Sequence, residues 1–201
     1  METSRMEAFS DGVFAVAITL LALDLKPGEG STLGEQLTAH SAVAHYAAYV
    51  VSFLVIGIIW VNHHSVFRQI ARVDRTLLFL NLSLLLFVAA IPFPTALLAE
   101  HLTEAADSHP AAFAYSAVMF LMSVSFGLLW WWVVHGGRLL ERPLSRADER
   151  AALRRFTVGN LAYLTLMGLA FVSAVATLAG HLLVAIYYIL DQVRQSPAPE
   201  R

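Results

Sequence analysis

The most reactive side chains at the start of the chain sit where they are costly to keep. Arg5, Ser10 and Asp11 belong to the run RMEAFSDGVFAVAITLLALDL (5–25), which is otherwise almost wholly apolar. A carboxylate in such a helix needs hydrogen-bond donors or water. Suitable donors recur at Trp60, Asn62, His63 and His64, and again at Asn81. An indole N–H, an imidazole and an amide converging on Asp11 would satisfy it. Such a cluster reads either as a brace between helices or as polar packing with no further role. Helix geometry sets its direction. Successive residues turn by about 100°, so Phe9, Gly12, Val16, Thr19 and Leu23 form one stripe, with Asp11 about 140° from Val16. If that stripe lines a lumen, Ser10 and Asp11 face neighbouring helices.

Other reactive residues have plainer readings. Thr19 is a lone hydroxyl in an aliphatic run, a setting in which threonine ordinarily bonds back to a carbonyl of the preceding turn. Asp24 ends the run, where the helix macrodipole disfavours an anion. A ring of such carboxylates at an outer mouth would attract cations; the alternative is a solvated loop-edge aspartate. No metal site is expected from His63 and His64, because adjacent helical residues diverge and no third ligand converges on them. The chain has no cysteine, which excludes disulfides and thiolate chemistry. Asp11 with His64 could form a dyad, but no serine on a nucleophile elbow joins them, so enzymatic activity is not expected.

The elements that must position these residues follow from the distribution of charge. Hydrophobic residues make up 58% of the 201 and charged ones only 14%, against about a quarter charged in ordinary soluble domains. No Asp, Glu, Lys or Arg occurs in 36–67, 76–99, 108–137 or 156–190. Each stretch meets the roughly 20 residues a helix needs to cross a bilayer. The last would reach about 52 Å as one helix, longer than a bilayer is thick, and is expected to turn near Gly180. This gives an all-α integral membrane protein of six helices, at 5–25, 42–67, 76–98, 111–135, 155–178 and 181–193, in one domain spanning 1–201. One tilted helix at the end, giving five spans, is the alternative. Under the six-helix reading, every Lys and Arg except Lys26 falls on one side, while Glu100, Glu104 and Asp107 mark the other. The positive-inside rule then puts both termini in the cytoplasm. The 196–199 stretch (SPAP) reads as a frayed end. No basic run points to nucleic acid.

The pattern Arg5-x-x-x-Phe9-Ser10-Asp11 followed by GVFAVAITLLALDL resembles the signature of the transmembrane protein 175 potassium channels, in their single-repeat prokaryotic form. Trp60-x-x-His63-His64-x-x-Phe67 and the region from Asn81 to Pro92-Phe93-Pro94 are similar to the same family. The resemblance implies a homotetramer in the cell (inner) membrane, with the first helix of each subunit lining a pore that has no TVGYG filter. It implies a hydrophobic constriction at Val16, a further pore-facing residue at Leu23 and a selectivity-linked hydroxyl at Thr19. It also implies a polar network of Arg5, Phe9, Ser10, Asp11, Trp60, His64 and Asn81, with His64 rather than His63 taking the imidazole place. Potassium is the implied permeant ion, and no cofactor is expected. Where the family commonly has Ile or Leu at the constriction, Val16 is shorter and implies a wider throat.

Two other classes compete. A secondary transporter would show inverted repeats and paired broken helices, which the sequence lacks. A haem-binding redox protein would need opposed histidines at matched depth among His45, His64, His135 and His181. The expectation is therefore a potassium-permeable, weakly to moderately selective cation channel.

Overall fold

In a computed structural model the regular structure among the described residues is helical, apart from one isolated antiparallel bridge, Ile70 to Leu140. The structure describes residues 3–102, 104, 106–135, 139–142 and 144–195, with positions 152, 155 and 192–195 described through the backbone alone. Arg138, the 196–199 tail and Arg201 lie outside the described residues.

The first helix, α1 (Thr3–Leu20), tightens into a 3₁₀ turn, Leu21–Asp24. Together they reach about 35 Å, enough to cross the hydrocarbon with Ser10 and Asp11 inside the span. A short helix, α2 (Leu33–Thr38), follows. Its start is fixed by a capping box between Thr32 and Glu35. The Glu35 carboxylate also accepts from the Ser31 hydroxyl and from the Ser31 and Thr32 backbone, which holds its pKa below the usual carboxylate value.

Next come α3 (His40–Phe67), α4 (Arg75–Ala90), α5 (Pro92–His101) and α6 (Ser108–Val134). α4 and α5 form one apolar rod broken at Ile91. Pro92 and Pro94 lack the N–H that an uninterrupted helix would use. α1 packs on α3 and α4, α6 packs on α4, and α3 packs on α5. Phe14, Leu21, Ile56, Leu84 and Met119 belong to the shared core.

The C-terminal pair differs from expectation. α7 runs Arg146–Leu169 and α8 runs Ala174–Gln195. The turn therefore lies at 170–173, not near Gly180. Ser173 starts α8 by accepting from the Ala176 backbone N–H (3.2 Å). Gly180 serves packing instead, because a Cβ there would run into Leu166 of α7. Gly180→Val is accordingly expected to cost about 1–3 kcal/mol through overpacking. A thermal unfolding midpoint in detergent equal to wild type would contradict this reading.

Among the described residues, five helical spans are long and apolar enough to cross a membrane: Thr3–Asp24, His40–Phe67, Arg75–His101, Ser108–Val134 and Ala174–Asp191. α7 does not qualify, because its first half carries RADERAALRR and only its second half is apolar.

Candidate functional site

The polar residues of α1 are bound to the bundle. Ser10 is fully buried; its hydroxyl donates to Met6 O (2.9 Å) and accepts from Asn81 Nδ2 (3.0 Å). Because that amide donates to Ser10, Asn81 Oδ1 is the acceptor for His63 Nε2 at 2.9 Å. The His63 ring is fully buried, stacked on Phe67 at 3.9 Å and edge-on to Phe14 at 5.4 Å. One chain of three side chains thus joins α1, α4 and α3.

A second set of contacts lies beside it. Asp11 Oδ1 accepts from Trp60 Nε1 at 2.8 Å, and His64 Nδ1 lies 2.9 Å from Glu7 Oε1. Trp60 and His64 stack on each other, with ring centroids 6.3 Å apart. These rungs follow the antiparallel register of α1 against α3: Glu7 and Asp11 share one face, one turn apart, and so do Trp60 and His64.

His64 is therefore not the imidazole that bonds Asn81 and through it reaches Ser10. His63 is, because one residue turns the ring by about 100°, from the α1 edge into the gap between α3 and α4. Arg5 and Phe9, expected in the network, are exposed, and Arg5 has no polar partner among the described residues. Glu7 was missed by sequence reasoning; its one-turn spacing from Asp11 was the available signal. Asp11 and His64 go to different partners, which removes the dyad.

The opposite face of α1 is bare. Phe9 (55% exposed), Val16 (57%) and Leu23 (75%) project from it together with Gly12 and Thr19. Phe9, Gly12, Val16 and Leu20, with Ala89 of α4, line an open groove of about 590 Å³. A Cβ at Gly12 would meet nothing within 4 Å. Thr19 Oγ1 lies 2.9 Å from both Ala15 O and Val16 O. Its proton is thus used on the backbone, while its lone pairs remain available on the exposed side. Asp24 is partly buried at the end of the 3₁₀ turn. A second exposed apolar stripe, Phe79, Leu82 and Leu86, runs along α4 and is followed by Phe93 beyond the break.

The four histidines considered for haem have separate commitments. His45 bonds back to Ser41 O (2.8 Å), His64 pairs with Glu7, His135 stacks on Trp131, and His181 bonds Ser116 (3.0 Å). Among the described residues, His101, Glu104 and Asp107 bring one possible metal-ligand atom each within 4.8 Å of one another. They sit between α5 and α6, where His101 Nδ1 already bonds Glu104 Oε2 at 2.8 Å, and they take no part in the α1 face.

Residues 5–92 match the family described as the endosomal/lysosomal potassium channel TMEM175. A potassium channel of Streptomyces collinus is 53% identical over 201 residues, covering 100% of this chain and 96% of that one. The chain belongs to the TMEM175 family. A potassium channel of Chamaesiphon minutus is 37% identical, over 94% of each chain. The crystal structure of a lysosomal potassium-selective TMEM175 homolog from the same organism aligns with a TM-score of 0.83 at 34% identity, over 94% of this chain and 97% of that one. The stretch matching the TMEM175 family contains α1, α3, α4 and every member of the polar network, and it ends at the Pro92 break.

Proposed function

We propose that this chain is the subunit of a potassium-permeable channel, a homotetramer in which α1 of each copy lines the pore. One observation carries the proposal. α1 is held by hydrogen bonds on one side only, and the side left free carries a continuous row of apolar side chains and one hydroxyl. A helix fixed in this way presents its free face at constant angle to whatever occupies the axis. The apolar stripe on α4 beside the groove supplies a surface for the next copy, and the open space at Gly12 allows close approach.

In this reading Val16 forms the constriction, a ring that opposes ions until it is hydrated. Leu23 forms a second apolar layer, and Asp24 places a carboxylate ring at the outer mouth. Thr19 offers oxygen lone pairs to a passing cation, since its proton is bound to the backbone. That arrangement favours an ion that sheds part of its hydration shell. α7 completes six spans through its apolar half, 156–169. Both termini then lie in the cytoplasm, the side of the basic 68–75 and 139–155 segments, and the channel occupies the cell membrane.

The experiment is a bi-ionic reversal potential with potassium on one side and sodium on the other. Thr19→Val keeps the shape and removes the oxygen; it is expected to lower potassium preference several-fold while current persists. An unchanged reversal potential would remove Thr19 from the selective layer.

A further inference from the structure

The connections α3–α4 and α6–α7 are joined by main-chain hydrogen bonds. Ala71 N and Arg72 N donate to Leu139 O (2.8 and 3.3 Å), and Glu141 N donates to Gln69 O (2.9 Å), around the Ile70–Leu140 bridge. Ile70 is buried beneath it. This register sets Arg68 opposite Arg142, with Arg72 just beyond the bridge, while Arg75 and Arg146 open α4 and α7. All five arginines are exposed, and none is paired with a carboxylate among the described residues.

The nearby acids are partly used elsewhere. Asp74 accepts from Trp132 Nε1 (3.1 and 3.2 Å to its two oxygens) and from Leu77 N (2.7 Å). Asp148 is held by Ser145 Oγ at 2.6 Å. Glu141 and Glu149 are outnumbered. The cluster is electrostatically unfavourable in the bare chain, because like charges across a bridge repel and arginines in a first helical turn oppose the macrodipole. An anion relieves both.

The depth of the cluster identifies that anion. Trp131, 44% exposed and stacked on His135, lies in the last turn of α6, whose next residue, Trp132, reaches Asp74 of the α3–α4 connection, and exposed tryptophan at the end of a span marks the headgroup level. Guanidinium groups match phosphate oxygens in a two-pronged geometry. We propose that the joined loops form an arginine platform that binds the phosphate of an anionic phospholipid headgroup, with the acyl chains against Trp131. The proposal rests on the membrane-spanning reading and not on ion selectivity. Binding is therefore measured without flux, and failure of one leaves the other standing.

The test titrates the purified channel in detergent with phosphatidylglycerol, phosphatidylcholine or inorganic phosphate. It reads the melting temperature, and lipid retention by native mass spectrometry. Phosphatidylglycerol should be retained and stabilise; phosphatidylcholine and inorganic phosphate should do so much less. The combined R68Q/R72Q/R142Q/R146Q variant should weaken phosphatidylglycerol binding roughly tenfold or more, at the usual worth of juxtamembrane arginines. Equal retention of both lipids, or an unaffected quadruple variant, would overturn the proposal. Inorganic phosphate reproducing the effect would make this a soluble-anion site and overturn the lipid assignment. Should the quadruple variant not fold, the wild type decides: its preference for phosphatidylglycerol must fall as salt is added, and a salt-insensitive preference overturns the platform.

Discussion

Val16→Ala is expected to raise the resting potassium leak about tenfold, which corresponds to a barrier lower by about 1.4 kcal/mol. In the proposed tetramer the substitution takes two carbons from each subunit at the Val16 ring. Even a small share of the roughly 0.8 kcal/mol that each apolar carbon contributes to excluding water is enough for that change. Val16 is free of contacts that hold the bundle together, being 57% exposed in the single subunit, so the fold should tolerate the change. Potassium efflux from liposomes at equal channel density checks this. Leak at the wild-type level, with the assembly intact, would move the constriction elsewhere on α1.

Asn81→Ala should have the largest effect on stability. Asn81 is 2% exposed and is the link between Ser10 and His63. Removing it leaves the buried His63 ring without its partner, at about 1–3 kcal/mol, while Ser10 keeps its bond to Met6 O. A loss near 2 kcal/mol corresponds to a melting temperature about 4–8 °C lower for a chain of this size. Asp11→Asn should cost less, about 1 kcal/mol, because Asp11 and Trp60 are partly exposed and the amide oxygen can still accept from the indole. Melting curves of the two variants in the same detergent check the order. An Asn81→Ala protein as stable as Asp11→Asn would contradict the importance of the buried chain.

Much of this was legible in the residues. The absence of charge over long stretches marks the apolar spans, and the phase of α1 puts Val16 and Ser10 on different faces. Other features were hidden because they depend on a neighbour. His63 and His64 are alike in composition, and only the neighbours α3 meets in the bundle, with Asn81 and Phe126 on the His63 side, decide which ring is buried. Gly180 has the look of a turn residue, yet its lack of a side chain is used where α8 crosses Leu166. Ser173, the residue that does mark the turn, lies in the apolar run 170–176, where a single serine is easily passed over. The platform of arginines was visible only as scattered basic loops, because the bridge that joins them links positions far apart in sequence.

Potassium flux through proteoliposomes of the purified protein, compared with sodium on the same preparation, tests the central claim most directly. The pore along α1 predicts flux that runs down the gradient without a coupled substrate, with potassium preferred over sodium. Absence of flux from a verified tetramer, in both the wild type and Val16→Ala, would contradict it.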